Sequence, residues 1–231
     1  MRYKGKSPIS RAPDAMHPTH AAPPSLETKK QPAQQRATET FERILDVTAE
    51  TLADVGIERL STNLVCERAG LTPPALYRYF PNKYALLREL GQRLMHRQND
   101  CISRWINETV FMGTQEELEH AVEGLILDTY EVTRLTLGGV WIMRAMRAVP
   151  ALQEVRLNSH ADVTNAQAAL MQRALPNAPA HELQLVSRVA VELIYAAVEM
   201  LFDDQLDEKG VARVVAGMVA SHLTRVIPAA T

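Results

Sequence analysis

Cysteine, aromatic side chains, net charge and long apolar runs are all scarce in this chain, and each scarcity excludes something. Only Cys66 and Cys101 are cysteines among 231 residues, too few for a disulfide framework, and no C-x-x-C or paired Cys/His spacing suggests a zinc site. Both read as inert buried thiols, which a reducing cytoplasm tolerates. No apolar stretch approaches the roughly 18 residues that a membrane-spanning helix needs; even Leu193 to Phe202 is interrupted by Glu199. The N-terminus is basic but has no apolar segment behind it, so it does not read as a secretory signal. The sequence has no H-E-x-x-H, no G-x-S-x-G and no phosphate-binding glycine loop. His181-Glu182 reads as helix-start capping and surface charge. No enzyme activity, cofactor or metal is expected.

The formal net charge is only -2, which taken whole argues against a nucleic-acid partner. The balance hides an asymmetry. Residues 1–95 carry 14 Lys/Arg and 10 Asp/Glu, whereas residues 96–231 carry 11 and 17. Within the first part, residues 1–35 hold 6 basic and 2 acidic groups, and residues 36–95 hold 8 of each sign. The basic excess therefore lies in the N-terminal arm, which becomes a candidate for steering charge. That arm also holds six of the 13 prolines and almost no large apolar side chains. It cannot bury enough surface to offset its ordering entropy, so residues 1–35 read as a disordered Pro-rich arm. His17 and His20 in it read as solvated.

From Arg36 the pattern becomes helical. Phe41, Ile44, Leu45, Thr48, Ala49, Leu52 and Val55 recur at steps of three and four, the apolar stripe of an amphipathic helix, and Gly56 is placed to end it. Ser61 or Thr62 can cap a short second helix that ends near Ala69-Gly70. Thr72 then caps a third helix, reaching to Phe80, with Pro73 and Pro74 in its first turn. Asn82 caps a fourth, whose apolar face is Leu86, Leu87, Leu90 and Leu94. Segments 115–136, 139–148, 150–174, 180–203 and 208–226 also show helical periodicity. No sustained alternation indicates a strand, so the fold class is all-α.

Two short helices joined by a tight turn and preceded by a longer helix outline a helix-turn-helix. Ala69, Gly70 and Leu71 make the turn, with positive φ at Gly70. Leu64, Val65, Leu71, Leu76 and Phe80 pack the pair, leaving Thr72, Pro73, Tyr77, Arg78 and Tyr79 outward.

The residues carrying this outline are similar to those of TetR-type transcriptional regulators. The resemblance lies in Phe41-x-x-Ile44-Leu45-x-x-Thr48-Ala49 with Val55-Gly56, in Val65-Cys66-x-x-Ala69-Gly70-Leu71-Thr72, and in Ala75-Leu76-Tyr77-Arg78-Tyr79-Phe80-Pro81-Asn82-Lys83-x-x-Leu86-Leu87. It covers residues 36 to 95. It implies an N-terminal three-helix DNA-binding domain over 36–95, followed by a helical ligand-binding and dimerisation domain over 96–231. It places Ser61, Thr62 and Asn63 near DNA phosphates, and Tyr77, Tyr79 and Lys83 on the backbone beside the major groove. Base reading then falls to Thr72, Pro73, Pro74, Ala75 and Arg78. The prolines depart from the family's usual polar or glycine residues and offer only apolar contact, for instance to thymine methyls. Tyr79 stands where histidine is common.

The implied partners are a double-stranded operator, a small organic effector and a second copy of the chain. The implied role is a homodimeric, ligand-released repressor of a near-palindromic operator, in the cytoplasm on the nucleoid. The dimer is expected through the last two helices. Their stripes are Leu183, Val186, Ala190, Leu193, Ile194, Ala197, Val198 and Leu201, and Val211, Val214, Val215, Met218, Val219, His222 and Val226. Ala196, Ala197, Ala216, Gly217 and Ala220 would allow close helix approach. The effector site is expected among Trp105, Met112, Tyr130, Trp141, Met143, Arg144, Met146 and Tyr195, with Phe111, Thr133, Arg147 and Glu199 nearby. The Gly138-Gly139 break is a candidate flexible point. A dimeric all-α ligand-binding or interaction protein that no longer binds DNA, and a small-molecule enzyme on a helical scaffold, are the competing classes.

Overall fold

The structure, a computed structural model, describes residues 35–226, with the side chain of Val226 outside that description. The arm expected over 1–35, with His17 and His20, lies outside it apart from Gln35. The described residues form ten helices and no strand, in agreement with the all-α expectation: α1 (Gln35–Arg59), α2 (Thr62–Ala69), α3 (Pro73–Tyr77), α4 (Lys83–Trp105), α5 (Glu108–Met112), α6 (Gln115–Leu135), α7 (Gly139–Ala148), α8 (Pro150–Ala174), α9 (Ala180–Asp203) and α10 (Glu208–Val226). None of these helices is long and apolar enough to cross a membrane.

The helix boundaries follow local chemistry. Ser61 caps α2 by accepting from the Leu64 N–H at 3.2 Å. Asn82 caps α4 by accepting from Tyr84 and Ala85 at 2.9 and 3.0 Å. Thr114 and Glu117 form a reciprocal capping box on α6. Gly70 takes φ 61° at the end of α2, as the turn requires. Gly56 also has positive φ, but α1 resumes beyond it, so the expected end is a kink. α3 is shorter than expected: it stops at Tyr77, and residues 78–80 continue as a turn in which Tyr79 and Phe80 both donate to the Leu76 carbonyl.

The packing of α1 to α4 is fixed by aromatic contacts and one ion-pair cluster. Phe80 is fully buried and stacks on Phe41 at 5.0 Å. Arg93 on α4 grips Glu42 on α1 through two nitrogens, one at 2.8 Å, and Glu89 at 3.0 Å. Hydrogen bonding to Arg93 holds the Glu42 carboxyl below the usual carboxylate range. α4 runs on past residue 95 and packs against α6, α7 and α8. The N-terminal helices and the remainder are thus mounted on one continuous rod.

The α6–α7 turn braces this junction. Gly138 has φ 66°, and a Cβ there would lie 2.8 Å from the Ala49 carbonyl oxygen of α1. A Cβ on Gly139 would come within 2.2 Å of the Thr133 carbonyl oxygen. The glycine pair expected to be a flexible point is a close-packed contact, because both backbones approach nearer than a side chain permits.

Candidate nucleic-acid interface and helical cavity

At the α2–α3 end, the sequence-derived residues gather on one face. Ser61, Asn63, Thr72, Pro73, Pro74, Tyr77 and Arg78 are exposed, and Thr62, Ala75 and Lys83 are half-buried. The Thr62 and Tyr77 hydroxyls are 3.0 Å apart and hydrogen-bonded. Together with Ser61, Asn82 and Lys83 they line a shallow, open depression between the end of α1 and the start of α4. The Lys83 ammonium donates to the Ile57 and Leu60 carbonyls at 3.4 and 3.2 Å. It thereby ties down the α1–α2 corner and fixes a positive charge beside two hydroxyls.

α3 presents a different chemistry. Pro73 and Pro74 occupy its first two positions and supply no N–H; the first N–H, that of Ala75, goes to the Thr72 carbonyl at 2.9 Å, and the Thr72 hydroxyl makes no capping bond. It is left for an outside partner. Arg78 is exposed, and among the described residues its guanidinium has no ion-pair partner, unlike Arg68 and Arg93, which are held by Asp54 and Glu42. Tyr79 overturns the outward expectation. It is 7% exposed and meets Phe41 edge-on at 6.1 Å, because the turn after Tyr77 rotates residue 79 toward α1.

The expected effector site does not assemble. An apolar cavity of about 70 Å³ lies among α4, α6, α8, α9 and α10, and of the eight effector residues only Tyr195 lines it; Phe111, named beside them, does too. The others have structural occupations. Trp105 covers Gly124, where a Cβ would come within 2.5 Å of the indole, and donates to Asp128 at 2.8 Å. Met146 fills the notch at Gly91, where a Cβ would lie 2.8 Å from its sulfur, and Met143 is core. Met112 is 60% exposed. Tyr130 packs on Phe202 at 4.7 Å. Arg144 covers Trp141 and pairs with Asp203 at 2.6 Å, and Arg147 pairs with Glu199. Thr133 is buried behind Gln98.

Sequence reasoning missed the cavity's polar members: Gln98, Thr129, Gln167 and Ser187. Gln98 carried a readable signal, since it stands four residues after Leu94 on the buried stripe of α4.

Behind Tyr195, the fully buried His160 ring stacks on it at 4.2 Å. Its Nδ1 lies 3.0 Å from Glu192, which also pairs with Arg188 at 2.7 Å. Burial pushes the imidazole below its ordinary range against the pull of Glu192, so the ring is neutral and Nδ1 donates. The unfolded chain then binds a proton that the folded chain refuses. Stability contributed by this group is complete above the unfolded value of about 6.5 and is lost as pH falls through and below it. Urea unfolding from pH 7 to 5 should show stability falling by at most about 1.4 kcal/mol per pH unit from this residue. His160→Gln should flatten that slope.

The α9 stripe expected to meet a partner mostly faces inward: Leu183, Val186, Ala197, Val198 and Leu201 are buried in the protomer's own core. The exposed apolar residues of α9 are Leu185, Val189, Leu193 and Met200, and those of α10 are Val214 and Met218. Cys66 and Cys101 are free and buried, and burial raises both thiol pKa values.

Residues 44–90 match the sequence pattern described as "Bacterial regulatory proteins, tetR family". The chain is 43% identical over 54 residues to the class C tetracycline repressor protein of Escherichia coli, covering 23% of this chain and 25% of that protein. It is 29% identical over 75 residues to an uncharacterised HTH-type transcriptional regulator of Mycobacterium bovis, covering 32% and 38%. The chain thus spans a quarter to two-fifths of the length of these curated relatives. The likeness of fold extends further. A TetR-family transcriptional regulator from Streptomyces coelicolor superposes with a TM-score of 0.54 at 22% identity, covering 81% of this chain and 99% of that one.

Proposed function

From a chain that belongs, through residues 44–90, to the tetR family of bacterial regulatory proteins, we propose a homodimeric DNA-binding repressor released by a small organic effector. The observation that carries the reading is the exposed strip on α2, α3 and the start of α4. Its hydroxyls at Ser61, Thr62 and Tyr77 and its ammonium at Lys83 ring one depression beside a short helix whose Thr72 and Arg78 are unengaged. Hydroxyls, cations and helix N-termini position a protein on phosphate, and groove-facing side chains read bases. Residues 36–95 form the reader in this proposal. Asn63 lies at its phosphate edge, and Pro73, Pro74 and Ala75 give apolar contacts to bases. Residues 96–231 hold the effector in the cavity between α4 and α9 and dimerise through the outward faces of α9 and α10, in the cytoplasm on the nucleoid.

Release follows as a population shift: an effector favours the state whose two α3 helices are wrongly spaced for the operator, in proportion to its differential affinity. A gel-shift titration on the DNA upstream of the chain's own gene tests the DNA half. Lys83→Ala should lower affinity about tenfold and reduce the salt slope by about one, and Tyr77→Phe should cost less. Unchanged affinity and slope in both would refute the phosphate assignment. A carrier that has lost DNA binding would give no shift at all.

A further inference from the structure

We infer that the cavity between α4 and α9 takes an uncharged alcohol or phenol, an apolar body whose hydroxyl donates to the carboxamide oxygen of Gln98. The inference rests on the effector reading above and narrows it to a chemical class. Among the described residues, no Asp, Glu, His, Lys or Arg lines the cavity. A carboxylate or ammonium ligand would lose its hydration there without gaining a counter-charge.

The hydrogen-bond balance of the walls sets the rest. Gln98 is 1% exposed, and its Nε2 donates to the Thr133 hydroxyl at 2.7 Å. The single hydroxyl hydrogen of Thr133 goes to the Thr129 carbonyl at 2.7 Å. Thr133 must therefore accept from Gln98, which settles which end of the amide is oxygen. That Gln98 oxygen is buried without a partner, and so is the Gln167 oxygen. The wall hydroxyls are already committed as donors: Thr129 to the Leu125 carbonyl at 2.7 Å, Ser187 to the Thr164 carbonyl at 2.9 Å, and Tyr195 to Asn99 at 3.2 Å. The Gln98 oxygen is therefore an acceptor fixed in place, and an occupant that satisfies it must bring a donor. An ether or ester of the same shape leaves that oxygen unpaired.

Size gives a second constraint. At about 70 Å³ the space is roughly half the ~150 Å³ that admits benzene in an engineered apolar cavity. A phenol must part the walls slightly. Val186, Ala190 and Val219 line this cavity and also the outward groove between α9 and α10, so widening is transmitted to the face proposed for the partner.

The test is calorimetric titration of the full chain with para-cresol, its methyl ether and para-toluate. Para-cresol should bind at least about tenfold tighter than the ether, and para-toluate should give no heat. Gln98→Leu should bring the ratio toward one, and Gln98→Met should do the same. If Gln98→Leu fails to fold, Gln98→Met, unbranched and close to glutamine in length, still decides. Equal or tighter binding of the ether, or binding of the toluate, overturns the inference and leaves the effector reading standing. Binding of none of the three also overturns it. Para-cresol binding with the expected preference but without operator release supports the inference and refutes the effector reading.

Discussion

A chain carrying Leu185→Glu together with Met218→Glu should sediment as a monomer at micromolar concentration and lose operator affinity by about a hundredfold or more. Leu185, Val189 and Leu193 recur every four residues along α9, and Val214 and Met218 do so on α10. Leu185 is 63% exposed and Met218 60%. Leu185, Val189, Leu193 and Met218, with His222 and Arg225, border a groove between the two helices. A contiguous apolar face of this kind is costly to leave in water, and a two-fold axis lets one such patch cover its own copy. Gly217 lies beside Met218, and a Cβ there would meet nothing within 4 Å of its own chain. Among the described residues nothing requires that residue to be small, whereas an approaching partner helix would. The two substitutions place four carboxylates in a closed two-fold contact, where desolvation and like-charge repulsion both oppose association. The loss of affinity follows because a monomer holds one half-site without the effective concentration that linkage gives the second. Leu135→Glu is the control: Leu135 is 69% exposed at the end of α6, away from the groove, and that variant should remain dimeric.

The correction from Leu183, Val186 and Leu201 to Leu185 and Val189, with Leu193 kept, shows where periodicity stops being informative. α9 is apolar on more than one face, and a step-of-three-or-four pattern fits the inward stripe as well as the outward one. Exposure decides between them, and exposure depends on where α6 and α8 sit. The first helices were legible, because Ser61, Gly70 and Asn82 bound them with residues whose backbone and capping chemistry is local. α5 was not, since five residues carry too little periodicity. The early end of α3 was not either: Leu76 and Phe80 face inward whether residue 80 continues a helix or closes a turn.

The cavity was hidden for a related reason. Aromatics and methionines attract attention as pocket linings, yet Trp105, Trp141 and Met146 serve as packing wedges against Gly124, Gly56 and Gly91. The cavity wall is built from aliphatic side chains that read as ordinary core, Ile102, Val122 and Val191 among them. The clue that survived in the sequence was polar: Gln98, a carboxamide on an otherwise apolar stripe. On the nucleic-acid side most expected residues came together because the tight Ala69-Gly70-Leu71 turn leaves α2 and α3 few arrangements.

Phe80→Ala should destabilise the reader by about 3–5 kcal/mol and abolish operator binding while leaving the effector cavity competent. Phe80 is fully buried, stacked on Phe41 at 5.0 Å, and Phe41 in turn meets Tyr79 edge-on. α3 has five residues, far too few to persist as a helix by its own hydrogen bonds. Its position is therefore held from outside, by Leu76 within the helix and Phe80 just beyond it. Removing the ring leaves a cavity against α1 that a short, proline-capped segment cannot close without moving. Thr72, Arg78 and Tyr77 then lose their common orientation. Phe80→Leu keeps most of the volume, should cost about 1.5 kcal/mol or less, and should retain specific binding with reduced affinity. The variant pair separates positioning from simple loss of fold, because para-cresol titration reports on a cavity that Phe80 does not line. If Phe80→Ala binds the operator as tightly as the parent chain, α3 is not held by this contact, and the placement of the reading residues must be sought in the α2–α3 turn instead.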